Sequence, residues 1–152
     1  MRQLIFTIAL VLQTYTIASN AALSILPGRE MLLDEADSTF MERTYHSSIM
    51  KADLIGSPDW NDEQSPPPLS AKKASEIAIA TLESKLGHDP HWLSERGWGI
   101  LRVELVKVPD AEKALWFYRV KLYPLVPGTG GVSVVTVFIT LGGKVIPLFE
   151  KK

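Results

Sequence analysis

The chain has 152 residues, 16 of them basic and 17 acidic, with a 46% hydrophobic fraction and no cysteine. That length is a prior for one domain able to bury its own core. A net charge of −1 gives no general attraction to nucleic acid or anionic lipid, and the lack of cysteine excludes a disulfide framework and a thiol nucleophile.

The N-terminus carries Arg2 and then the apolar run Leu4 to Leu12, LIFTIALVL, followed by small residues in IASNAALS. A basic start, a short apolar stretch and small residues predict a secretory signal peptide over residues 1–21, cleaved after Ala21. The run is well short of the ~20 residues a spanning helix requires, so no stable membrane anchor is expected after cleavage. Cleavage would leave 15 basic residues against 17 acidic ones. An exported chain without disulfides fits a bacterial periplasm or secreted setting.

Residues 22–67 read as an irregular arm ending in a proline-rich connector, SPDWNDEQSPPP. Prolines fix φ and disfavour helix in the residue before them. Tyr45 to Ile55 suggests a short strand and a turn of helix. Leu33 to Ser38, LDEADS, holds the letters of a helicase motif without the phosphate loop such an enzyme needs, so it reads as a solvated acidic turn.

A helix is predicted over Ser70–Leu86, with Ser70 as N-cap and Gly87 as its stop. Ala71, Ala74, Ala78, Leu82 and Leu86 form one stripe; Lys72, Lys73, Glu76 and Glu83 take the other side. The period then changes from 3.6 to 2 near Trp98. Leu101, Val103 and Leu105 alternate with Arg102 and Glu104. Trp116, Tyr118, Val120 and Leu122 alternate with Phe117, Arg119 and Lys121. Val135, Val137 and Ile139 alternate with Thr136 and Phe138. Gly142-Gly143 marks a hairpin, and Lys144 to Leu148 returns as a short strand. The fold class is α+β: one helix packed on a three- to four-stranded antiparallel sheet.

This order of elements resembles the PepSY domain family. The likeness rests on PLSAKKASEIAIATL, then LWFYRVKL, then VSVVTVFITLGGKVI, and gives a domain at residues 68–150. The last turn reads TLGGKV, without the aspartate usual before Thr-Gly, so no role of that position is carried over. PepSY domains occur in propeptides of thermolysin-type metalloproteases and in envelope proteins. The resemblance implies a non-catalytic extracytoplasmic module that binds a protein, such as a peptidase it restrains.

No cofactor, metal or catalytic set is expected from the residues. The alternative is a small metal-dependent hydrolase built on His88 and His91, but Pro90 between them prevents a shared helical face. The sheet face away from the helix carries more apolar groups than a solvated face should. Ile100, Arg102, Phe117, Arg119, Tyr123 and Phe138 are therefore the candidate partner-binding residues, with the arm expected to cover part of that face.

Overall fold

The computed structural model describes residues 31–40, 42–61, 65–86, 97–109, 114–125 and 133–152. The fold is α+β, with one helix and two three-stranded antiparallel sheets. The strands in chain order are β1 (Leu32–Phe40), β2 (Arg43–Met50), β3 (Trp98–Lys107), β4 (Trp116–Pro124), β5 (Val135–Thr140) and β6 (Phe149–Lys151). The helix α1 spans Ala71–Leu86, and a 3-10 turn occupies Lys51–Leu54. One sheet, here the core sheet, runs β3-β4-β5; the other, the cover sheet, runs β1-β2-β6.

The helix forms where its cap places it, and its buried stripe is Ala74, Ser75, Ala78 and Leu82, with Ala71 left exposed. Ser70 Oγ accepts from the Lys73 amide at 3.2 Å, and the Ser70 carbonyl accepts the first helical bond from Ala74 at 2.9 Å. Ala74, Ala78 and Leu82 are buried against Tyr118, Val120, Leu122, Val135, Val137 and Ile139 of the core sheet. Alanine at the centre lets the helix axis approach the sheet closely. Tyr118 donates its hydroxyl to the Leu69 carbonyl at 2.7 Å and so fixes the entry to the helix. At the other end, Lys85 Nζ reaches the Leu148 carbonyl at 2.6 Å.

The described part of the arm is not irregular. Leu32–Phe40 and Arg43–Met50 pair antiparallel, β1 with β2, as a hairpin over the core-sheet face away from the helix. Pairing sets Asp34, Ala36 and Ser38 beside Ile49, Ser47 and Tyr45, and these residues turn inward. Ile49, Leu54, Phe117, Phe138, Val108 and Ile146 form a second core there, with Leu33, Ala36, Val106 and Leu115 against it. The LDEADS stretch thus belongs to a strand, not to a solvated turn. The strand and helical turn suggested within Tyr45–Ile55 are found, as β2 and the 3-10 turn.

The C-terminal segment joins the sheets. The hairpin after β5 has a three-residue loop, Leu141 to Gly143, closed by Thr140 N–H to the Lys144 carbonyl and Gly143 N–H to the Thr140 carbonyl, both 2.9 Å. Only Gly143 takes a positive φ, 83°, so one glycine serves the turn instead of two. The return segment, Lys144 to Leu148, is not the short strand its sequence predicts: it meets β5 in a single bridge, Ile139 with Val145, and Ile146 N–H reaches the Phe138 carbonyl at 2.9 Å. The chain then crosses to pair β6 with β2.

Asp53 secures this crossing. Its carboxylate accepts from Lys144 Nζ at 2.8 Å and from the Met50 amide at 3.0 Å. Burial works against its charge, but these two partners outweigh it and hold the carboxyl below the ordinary range. A depressed folded value gives stability that is complete above the unfolded pKa, near 4, and is lost as pH falls through the folded value. Asp53→Asn is expected to cost ~1 kcal/mol near neutral pH. Denaturant melts of the two proteins should converge as pH falls below about 4; a gap independent of pH would show that the carboxylate is not the source.

Candidate functional site

β3 is an edge strand of the core sheet, and its start departs from plain alternation. Val103 faces Val120 and Leu105 faces Tyr118, so both lie on the helix side, as their spacing predicts. Between Ile100 and Arg102 the register shifts: Ile100 pairs with Leu122 and Arg102 with Lys121. The extra residue is Leu101. A bulge of this kind reverses the phase of everything before it. Ile100 therefore shares its face with Leu122 on the helix side, not with Phe117 as the uninterrupted alternation predicts.

Ile100 and Leu101 are 48% and 54% exposed, and Leu125, held across from Gly97 by a 3.1 Å amide bond, is also exposed. Tyr123 lies over Gly99, its cross-strand partner. A Cβ at position 99 would come within 2.4 Å of that ring, so only glycine admits the contact. The aromatic ring covers the backbone that glycine leaves bare.

Arg119 stands between the sheets. Its Nε and Nη2 both donate to Asp34 Oδ2 of β1, the first at 2.7 Å, and its Nη1 donates to Glu104 Oε2 of β3 at 3.2 Å. Glu104 Oε1 in turn holds Arg102 Nε at 3.0 Å. Burial disfavours the guanidinium charge, but the Asp34 contact and then Glu104 outweigh that and raise its pKa. The four side chains form one charge chain from the hairpin to the sheet edge.

The predicted partner-binding residues divide accordingly. Phe117 and Phe138 are 1% and 0% exposed, meeting edge to face at 6.0 Å beneath the hairpin. Their own N-terminal arm takes them, so neither is open to a partner. Arg119 is engaged by Asp34 and Glu104, and Tyr123 is half-buried over Gly99. Ile100 and Arg102 remain exposed, on opposite faces of the strand. Leu101 joins them; its exposure follows from the bulge, for which the letters WGILRV give no signal beyond the glycine.

His88 and His91 lie outside the described residues. The third histidine, His46, gives Nδ1 to Asp37 Oδ1 at 2.8 Å, and Asp37 also accepts from Lys151 Nζ at 2.6 Å. Lys151 first and His46 second hold the Asp37 carboxyl below its ordinary range. This exposed trio links the three strands of the cover sheet. Among the described residues no group of three or more histidines, cysteines or carboxylates is placed to hold a metal ion, and no helix is long and apolar enough to cross a membrane.

In comparison with known proteins, no family model matches the chain, and no curated protein or solved structure matches it either.

The charge chain makes a thermodynamic prediction. Asp34→Ala leaves Arg119 half-buried with one partner and should cost ~1–3 kcal/mol. In a double-mutant cycle, Arg119→Met should cost less in the Asp34→Ala background than in the wild type. Strict additivity would mean that the contact contributes nothing to holding the hairpin.

Proposed function

We propose that this protein is a non-catalytic binding module of an extracytoplasmic compartment, and that it holds its partner along β3. The observation that carries the reading is the state of that strand. β3 has ten residues, pairs with β4 on one side, and pairs with no described residue on the other. Ile100 and Leu101 stand exposed at its start. Long edges with apolar residues are templates for added strands, in which backbone bonds give affinity and side chains give register.

Two features of the sequence support the rest of the reading. The basic start and apolar run of residues 1–21 support export. The likeness of residues 68–148 to PepSY domains supports a peptidase or other envelope protein as the partner, restrained rather than cleaved. An extended segment of such a protein is the form that a sheet edge accepts.

A photo-crosslinking side chain at position 101 tests this directly. In an envelope extract of the native host it should give a discrete heteromeric adduct that excess unlabelled protein competes away. The same group at Ile55, which is exposed elsewhere on the surface, should give none. No adduct from position 101, or equal labelling from both positions, would overturn the assignment of β3.

A further inference from the structure

The hydrogen-bonding phase of β3 can be traced across the core sheet. Thr140 sends its N–H to Lys144 and receives Gly143 on its carbonyl, so both its backbone groups point away from β4. Its partner Phe117 therefore turns to β3, and Val106, opposite Phe117, turns to β4. The Val108 N–H to Leu115 carbonyl bond, 2.9 Å, continues the same phase. By alternation, Val103, Leu105 and Lys107 direct their N–H and C=O groups to the edge that no described residue pairs with.

The side chains around that edge are self-complementary. Arg102 and Glu104 lie on one face, two residues apart, with Val103 between them. Two copies of β3 placed antiparallel about Val103 set Arg102 of each opposite Glu104 of the other. Val103 then forms a hydrogen-bonded pair with its own copy. Moving the centre to residue 102 or 104 sets Arg opposite Arg or Glu opposite Glu, which is destabilising. A net charge of −1 offers little repulsion between copies.

We propose that β3 pairs with β3 of a second copy in this register, joining two core sheets into one of six strands around a two-fold axis at Val103. The inference rests on the reading of β3 as the binding edge and names the occupant of that edge. Self-pairing shields the edge until a partner's extended segment replaces it.

Sedimentation velocity of the purified protein over a concentration series tests the proposal. The wild type should show a monomer–dimer equilibrium. Arg102→Glu sets Glu opposite Glu twice, by symmetry, and should weaken the dimer about tenfold or more. Glu104→Arg alone should do the same. An equimolar mixture of the two variants should dimerise again, because each mixed pair sets opposite charges together. Glu104→Arg brings a cation beside Arg119, so its fold is checked by circular dichroism. If it fails to fold, Val103→Cys serves in its place, because the chain has no other cysteine. Air oxidation should link Val103→Cys into a disulfide dimer, since a hydrogen-bonded pair spaces its Cα atoms at about 5.5 Å. Leu101→Cys should stay monomeric. A wild type that is monomeric at all concentrations, or an Arg102→Glu variant that dimerises like wild type, would overturn self-pairing. So would Leu101→Cys linking as readily as Val103→Cys. A monomeric wild type that still gives the heteromeric crosslink from position 101 would remove the second copy and leave the binding edge standing.

Discussion

A three-stranded sheet with apolar residues on both faces must be covered twice, and the rest of this structure follows from how the second face is covered. The helix takes one face with Ala74, Ala78 and Leu82. The other face holds Phe117 and Phe138, and burying each fully is worth ~1.5–3 kcal/mol relative to leaving it in water. The β1–β2 hairpin supplies Ile49, Leu33 and Ala36 to meet them. As a result all six residues of β5 are buried, three on each side. The sheet becomes the middle layer of a domain whose N-terminal part is a component of the core.

Polar groups fix where the hairpin sits. Ser38 Oγ is buried and accepts the Thr136 amide of β5 at 3.0 Å, a bond that an aliphatic residue at position 38 would leave unmade. Ser47 Oγ donates to the Pro147 carbonyl at 3.2 Å. Asp34 reaches Arg119, and Asp53 reaches Lys144. Each contact joins a residue between 34 and 53 to one between 119 and 147. They also close one sheet edge: the outer groups of β5 are taken by Ser38 and by residues 143–146. β3 has no such cover among the described residues, and this asymmetry between edges is what gives the binding proposal its physical basis.

The same polar residues explain what the sequence concealed. The helix and the phases of β4 and β5 were legible because apolar groups recur at 3.6 or 2 residues without interruption. After a register shift at Leu33, β1 and β2 also alternate, with Asp34, Ala36 and Ser38 inward opposite Ile49, Ser47 and Tyr45, and Phe40 inward at the end of β1. Hydropathy does not register that pattern, since aspartate and two serines occupy inner positions. Their burial is compensated by partners more than 80 residues away along the chain, which local periodicity cannot display. The face of Ile100 was lost to the bulge at Leu101. Alternation alone places Phe117 and Phe138 away from the helix; that the hairpin buries them completely depends on the long-range pairing.

Native-state hydrogen exchange of the Thr136 amide tests the central claim, that the hairpin is part of the cooperative core. This amide has Ser38 of the hairpin as its acceptor, whereas Val120, in the middle of β4, lies between two strands of the core sheet. If hairpin and sheet open together, the two amides exchange with the same opening free energy, and denaturant affects both alike. If Thr136 exchanges through a local opening while Val120 stays protected, the hairpin is a separable strap and the account of the second core is wrong.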